Sequence, residues 1–357
     1  MESNAFIMAR SPEDCMSVLP HNGREYVEFS CLIPWLGKSY MSWEKEYFQN
    51  YGYKIHEFIT GGSTLASLLP PMIVALYLSS IFFGQRYMKD QKPWEWKKKL
   101  VSQCSIVFIA IGVYKSSIYY HTMRLRNVIF YCVLFTQALW NLFLSLFSFM
   151  GMVRMVPPLI YMSQTKSIRS NMCDDPYATW LAGSTGTWVQ FFILSKIPEL
   201  FDTFFVVVRK KPLIFLHWYH HITVLLYVWH GAYAIINPVA PIFGAMNYGV
   251  HSLMYGYYFL MAIGKKPKWL HASIITSAQI LQMWVGMVAT AIGYHYYMDN
   301  RRAVEEGNEN SCLISGWSLV AAMMMYGSYF LLFIQFFIAR FTREKRLKVT
   351  SKNLKTN

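Results

Sequence analysis

Three observations predict an all-α integral membrane protein, with about seven transmembrane helices around a polar chamber. The 357-residue chain is 54% hydrophobic and only 15% charged, with positive mean hydropathy, whereas soluble domains carry about 25% charged residues. Its Lys and Arg, the source of a net charge of +14, fall in short clusters between apolar runs. Titratable and amide side chains recur at helical spacing inside those runs. The basic excess therefore reads as a topology signal and not as an affinity for nucleic acid. Residues 1–60 lack a basic start followed by an apolar stretch, so the first span is expected to act as its own targeting signal.

A helix needs about 20 apolar residues to cross a bilayer. Such runs lie near 63–84, 138–158, 181–208, 214–236, 240–263, 270–292 and 314–339. Basic residues follow the first (Arg86, Lys89, Lys97–Lys99), the third (Arg209, Lys210, Lys211), the fifth (Lys265, Lys266, Lys268) and the seventh (Arg340, Arg343, Lys345). The intervening links are uncharged, mixed or acidic, as at Asn237-Pro238 and at Glu305, Glu306 and Glu309. This bias puts the even links and the N-terminus on the lumenal side and the C-terminus in the cytosol. The organisation expected is a lumenal segment over 1–62, a membrane domain over 63–339 and a basic cytosolic tail over 340–357. Cys173 and Cys312 fall in two links on the lumenal, oxidising side and are the preferred disulfide pair. Cys15 and Cys31 lie on that side too.

The polar stripes carry the chemistry. The third span holds Lys196-Ile-Pro-Glu199-Leu-Phe-Asp202-Thr203, with charges three apart on one slanting face. The fourth opens His217-Trp-Tyr-His220-His221, whose i, i+3, i+4 spacing points all three imidazoles one way. The fifth carries Asn247, His251, Tyr255 and Tyr258 on one face, and the sixth Thr276, Gln279 and Gln282. An unpaired charge at the bilayer centre costs at least ~2.5 kcal/mol, so such groups are expected to be paired or solvated in a cavity. Four stripes on four successive spans imply one enclosed chamber.

Taken in order, Lys196-x-x-Glu199-x-x-Asp202-Thr203, His217-x-x-His220-His221, Asn247-x-x-x-His251-x-x-Met254-Tyr255 and Thr276-x-x-Gln279-x-x-Gln282 resemble the ELO family of very-long-chain fatty acid elongases. The resemblance covers roughly 60–345 apart from 101–137. It implies a 3-oxoacyl-CoA synthase of the endoplasmic reticulum membrane with an acyl tunnel. Such an enzyme joins acyl-CoA to malonyl-CoA with loss of CO2 and CoA, and it associates with the other enzymes of the elongation cycle. It implies His220 as acyl carrier and His251 acting on the second substrate, with no metal and no cofactor. The form Phe215-Leu-His217 resembles members acting on saturated and monounsaturated chains. The tail, ending Lys352-Asn-Leu-Lys355-Thr-Asn, departs from the family by having no clean Lys-Lys-x-x retrieval signal.

The residues accommodate that chemistry. No Cys lies in the four stripes, whereas a neutral imidazole can attack a thioester to give a reactive acyl-imidazole. Decarboxylation creates an enolate that needs donors at its oxygen, for which His217, His221, Asn247 and Gln282 are candidates. Lys196, Glu199, Asp202, Asn247, Gln279 and Gln282 read as a supporting polar network. Arg209, Lys210, Lys211, Lys265 and Lys266 at the cytosolic rim are candidates for CoA phosphates. Two other classes share parts of this pattern. Di-iron membrane desaturases and hydroxylases also use His-x-x-His-His, but with several such boxes where this chain has one. A non-catalytic lipid transporter would account for the charged stripe but not for the histidine cluster.

Residues 101–137 break the plan. Val101–Tyr120 is apolar enough to span, yet one more crossing would move every later basic cluster to the lumen, against the charge bias. Family members resemble the chain on either side and lack this segment. It begins Val-Ser and ends with Gln, residues that consensus intron ends can encode, so the segment is hypothesised to be retained intron sequence. Sequencing the transcript across Leu100–Ala138 should find most message without it. Abundant message encoding the segment would contradict that reading.

Overall fold

The computed structural model describes residues 13–19, 23–32, 42–91, 118–176, 180–234, 237–309 and 312–356, with the side chains of 118–135, 232 and 341–356 outside the description. Helices dominate. A two-stranded antiparallel hairpin, β1 (Met16–Val18) and β2 (Glu25–Val27), leads into α1 (Phe29–Leu32), α2 (Ser42–Tyr47), a π-helical turn at Phe48–Gly52, and α3 (Tyr53–Thr60). Then come α4 (Thr64–Met88), α5 (Ile118–Thr165), α6 (Ile168–Cys173), α7 (Gly183–Glu199), α8 (Asp202–Val208) and α9 (Phe215–Leu226). The last of these continues as a π-helical stretch over Tyr227–Tyr233, and α10 (Ala240–Ala262), α11 (Ala272–Glu305) and α12 (Gly316–Thr356) follow. Of the 101–137 segment, 101–117 lie outside the described residues, and the remainder belongs to the backbone of α5.

Each run read as a span coincides with helix, but not all of them are uninterrupted. Among the described residues, four helices are individually long and apolar enough to cross a membrane: Thr64–Met88, Thr136–Thr165, Ala272–Glu305 and Gly316–Arg340. The others owe their shortness or lower hydropathy to the polar residues that make them interesting. The expected 181–208 span breaks between α7 and α8. Pro198 removes a backbone donor there, and the chain tightens into i→i+3 bonds from Leu200 to Ile197, Phe201 to Pro198 and Thr203 to Leu200. Asn247, His251 and several tyrosines lower the hydropathy of α10.

Burial is inverted relative to a soluble domain, as lipid solvation demands. Leu76, Phe83 and Trp317 face outward, while Arg154, Lys196, Glu199, Asn247, His251 and Gln282 are buried. The helix α10 packs along α5, and α11 packs along α12. Close approach of the first pair depends on Gly151, since a β-carbon there would collide with the ring of Tyr248. That ring cannot retreat, because its hydroxyl donates to the Trp188 carbonyl at 3.0 Å.

The N-terminal segment is built into the bundle. Arg154 of α5 forks onto Glu44 of α2, its Nε 3.0 Å from Oε2, with both side chains fully buried. The Thr187 hydroxyl of α7 donates to the Glu44 carbonyl at 2.7 Å. Two disulfides close this side of the molecule. Cys173 is joined to Cys312, tying the end of α6 to the approach to α12, and Cys15 is joined to Cys31 beneath the hairpin.

Candidate active site

Residues from all four stripes line a chamber of about 680 Å³ between α5, α8, α9, α10, α11 and α12. His217, His220, His221, His251, Asp202, Asn247, Gln279 and Gln282 all line it. A narrow apolar channel of about 40 Å³ adjoins it, and His220, Asn247, Gln282 and Met283 belong to both walls. From there the channel runs past Val224, Tyr227 and Val228 toward Tyr233, Ala240 and Trp180. Polar and apolar spaces meet at the His220 ring.

Each imidazole is fixed differently. Nε2 of His217 lies 2.9 Å from the Thr203 hydroxyl, which is 2.8 Å from the Tyr77 hydroxyl, so α8 and α4 jointly orient this ring. The His217 and His221 rings are 4.7 Å apart, and the His220 ring packs against Tyr329 at 5.0 Å. Tyr329 also donates to the His220 carbonyl at 3.3 Å.

The tautomer of His251 follows from its neighbours. An ammonium can only donate, so Lys196 Nζ, 3.0 Å from Asn247 Oδ1, fixes that oxygen as acceptor. The amide nitrogen of Asn247 must then donate to His251 Nε2 at 3.1 Å. A neutral His251 therefore carries its proton on Nδ1, which faces Glu199 Oε2 at 3.8 Å. That carboxylate oxygen is buried and makes no hydrogen bond, while Oε1 accepts from Lys196 at 2.6 Å and Ser195 at 3.0 Å.

Asp202 departs from the expectation of a single charged stripe. The break after Glu199 carries it away from the Lys196–Glu199 pair, and it accepts instead from Tyr255 at 2.5 Å and the Trp140 indole at 2.7 Å. Neither Lys196 nor Glu199 lines the chamber; they sit behind Asn247 and His251.

The basic candidates also divide. Arg209 and Lys211 line the chamber mouth, but Lys210, Lys265 and Lys266 do not. Lys210 has a left-handed backbone (φ 52) at the end of α8, and its ammonium donates to the Lys89 carbonyl at 2.8 Å. Lys266 donates to the Leu270 carbonyl at 3.1 Å. Burial lowers the pKa of Arg209 from its ordinary value, a penalty on the cation that an arriving anion would relieve. Sequence reading missed Arg340 as a partner in this mouth. Its signal was the i, i+3, i+7 series Phe333, Phe336, Arg340 on one face of α12, obscured by reading Arg340 as part of a tail.

Among the described residues, no group of three or more His, Cys, Asp or Glu is placed to hold a metal ion. The fold and site define a multi-pass helical membrane protein with a histidine-lined chamber opening onto an apolar channel. The sequence model of the ELO (GNS1/SUR4) family matches residues 65–349, and the chain belongs to that family. It is 39% identical over 263 residues to very long chain fatty acid elongase 6 of Gallus gallus, covering 74% of this chain and 80% of the relative. It is 36% identical to the Drosophila melanogaster protein of the same name, covering 72% and 78%. It is 41% identical to very long chain fatty acid elongase 4 of Trypanosoma cruzi, covering 56% and 66%.

Replacing Glu199 by Gln should lower both the amount of folded protein and its activity. It leaves Lys196 without its buried counter-charge, and breaking such a pair costs on the order of 3 kcal/mol. Thermal melting of the solubilised protein reads the first effect. Normal melting with lost turnover would instead assign Glu199 a direct part in the reaction.

Proposed function

We propose that this chain is the condensing enzyme of fatty acid elongation, a very-long-chain 3-oxoacyl-CoA synthase of the endoplasmic reticulum membrane. Its N-terminus is lumenal, its C-terminus cytosolic, and seven helical segments cross the bilayer. It needs no cofactor beyond its substrates, acyl-CoA and malonyl-CoA, and it works beside the other enzymes of the elongation cycle.

The observation that supports this reading best is the position of His220 on the boundary between chamber and channel. A long-chain thioester is apolar on one side of its carbonyl and anionic on the other. The channel suits the chain, and the mouth lined by Arg209, Lys211 and Arg340 suits phosphates. An imidazole nitrogen of His220 attacks the thioester carbonyl, the C–S bond breaks, and CoA leaves as thiol after taking a proton. The acyl-imidazole waits while CoA gives place to malonyl-CoA. Loss of CO2 then leaves an enolate whose α-carbon attacks the acyl carbonyl. The C–N bond breaks, His220 is regenerated, and 3-oxoacyl-CoA departs, longer by two carbons.

The network around His251 suits the second half. Asn247, itself held by Lys196, bonds the ring on one side, and the unused oxygen of Glu199 stands ready to stabilise an Nδ1 proton or a full imidazolium. His217, His221 and Gln282 supply hydrogen-bonding groups toward the developing enolate. The di-iron reading is disfavoured because, among the described residues, no three or more His, Cys, Asp or Glu side chains are placed to hold a metal ion.

Burst release of the first product is the kinetic fingerprint of a covalent intermediate. Purified protein mixed with acyl-CoA alone should release CoA and gain the acyl mass on intact-protein mass spectrometry. His220→Ala should abolish the adduct, whereas His251→Ala should keep it and impair decarboxylation of malonyl-CoA. An active wild type without adduct, or an unchanged adduct on His220→Ala, would overturn the covalent scheme in favour of direct attack in a ternary complex.

A further inference from the structure

Tyr77 is buried on a helix that mostly faces outward. Its chain neighbours Leu76 and Leu78 are exposed, whereas Ala66, Pro70 and Tyr77 share the inward face of α4. Gly84 lets this helix run tight against α8, since a β-carbon there would come within 3.2 Å of Val207 Cγ1. The Tyr77 hydroxyl thereby reaches to 2.8 Å from Thr203 Oγ1, and Thr203 Oγ1 lies 2.9 Å from His217 Nε2. A residue of α4 stands two hydrogen bonds away from an imidazole of the chamber.

The hydroxyl protons fix the direction of this chain. Among the described residues the Tyr77 hydroxyl has one hydrogen-bond partner, Thr203, and the Thr203 hydroxyl has two, Tyr77 and His217. Each hydroxyl has one proton to give. If Thr203 donated to Tyr77, the phenol proton would be buried without an acceptor, the costly case for a polar group. Tyr77 therefore donates to Thr203, and Thr203 spends its own proton on His217 Nε2. A ring nitrogen that accepts carries no proton, so neutral His217 holds its proton on Nδ1. That nitrogen makes no hydrogen bond among the described residues, and the ring lines the chamber.

Building on the elongase reading, we infer that Tyr77 is a positioning residue for the condensation: through Thr203 it commits His217 to donate from Nδ1 into the chamber, toward the oxygen that gains negative charge beside His220. His217 stands one turn before His220 on the same face of α9, within reach of a carbonyl placed there. Without the phenol proton, Thr203 is free to accept, and His217 can carry its proton on Nε2 instead. Nδ1 would then turn a lone pair toward the developing oxyanion, where a donor is needed. The His220 ring makes no hydrogen bond among the described residues, so the relay fixes the donor and leaves the nucleophile free.

The test reads the tautomer directly. The full chain is labelled with 15N,13C-histidine and measured in lipid by solid-state NMR, the His217 signals being those lost in His217→Gln. Wild type should carry the His217 proton on Nδ1. Tyr77→Phe, which loses one hydroxyl, should move the ratio of tautomers toward Nε2 by about five- to ten-fold, the worth of one hydrogen bond. It should also lower kcat for extension of acyl-CoA about ten-fold with KM within about two-fold of wild type, the mark of an interaction made in the transition state. That loss is smaller than the 10²–10³-fold found when an oxyanion donor is deleted outright, because the ring remains. A wild-type proton on Nε2, or a ratio that Tyr77→Phe leaves unmoved, overturns the relay. A shifted ratio with undiminished kcat overturns the donor role of His217. If Tyr77→Phe fails to fold, the wild-type spectrum decides, and a proton on Nε2 overturns the inference. If wild type extends no acyl-CoA at all, the elongase reading fails, while the relay still stands or falls by the tautomer.

Discussion

The site depends on one constraint: an ammonium placed inside a membrane domain must be neutralised where it stands. Lys196 is almost fully buried, and leaving it unpaired would cost several kcal/mol. Glu199, one turn further along α7, supplies the counter-charge at 2.6 Å. The same ammonium spends a second donor on Asn247 of α10, so neutralisation also ties two helices together. The bond sequence then propagates by elimination. Lys196 can only donate, hence Asn247 presents its amide hydrogen to His251, hence His251 holds its neutral proton on Nδ1. A buried salt bridge is weak evidence for stability in itself. Here its consequence is the definition of one protonation pattern at a ring that faces the chamber.

The second organising feature is the separation of two kinds of space. The chamber is large, mixes polar with apolar walls and includes Arg209, Lys211 and Arg340, whereas the channel is narrow and almost wholly apolar. The two share only a few walls, and the His220 ring is the titratable one that offers a nucleophile. A substrate with an anionic head and a hydrocarbon tail can satisfy both spaces only by placing its junction there. The neighbouring rings have other tasks: His217 is bonded to Thr203, which Tyr77 holds in turn, and His251 is bonded to Asn247.

Much of this was legible in the sequence because it is local. Apolar runs, Lys/Arg clusters and i, i+3, i+4 stripes each depend on residues within a few turns, and they located the helices and the histidines. Gln279, Gln282, Asn247 and His251 were all placed on the chamber side by spacing alone. What escaped depends on breaks and on distant partners. The charged stripe read as one face becomes two, because Pro198 and the tightened turn after Glu199 rotate Asp202 toward Tyr255 and Trp140. Consecutive cations at 209–211 cannot share a task when the middle one has a left-handed backbone. The N-terminal segment depends on such distant partners throughout. Its place is set by pairs such as Glu44–Arg154 and Tyr47–Gln190, which lie over a hundred residues apart in sequence, and by Cys15–Cys31.

The central claim is that the reacting carbonyl sits at His220, with the hydrocarbon on the channel side and the anionic head on the Arg340 side. Direct imaging of the protein by cryo-electron microscopy, with a non-hydrolysable acyl-CoA analogue bound, tests that claim most directly. The account predicts density for the chain running from the His220 ring past Val224 and Tyr227 to Tyr233, with the phosphates beside Arg209, Lys211 and Arg340. A chain lying on the outer face of the bundle, or a head group at the Tyr233 end, would contradict it.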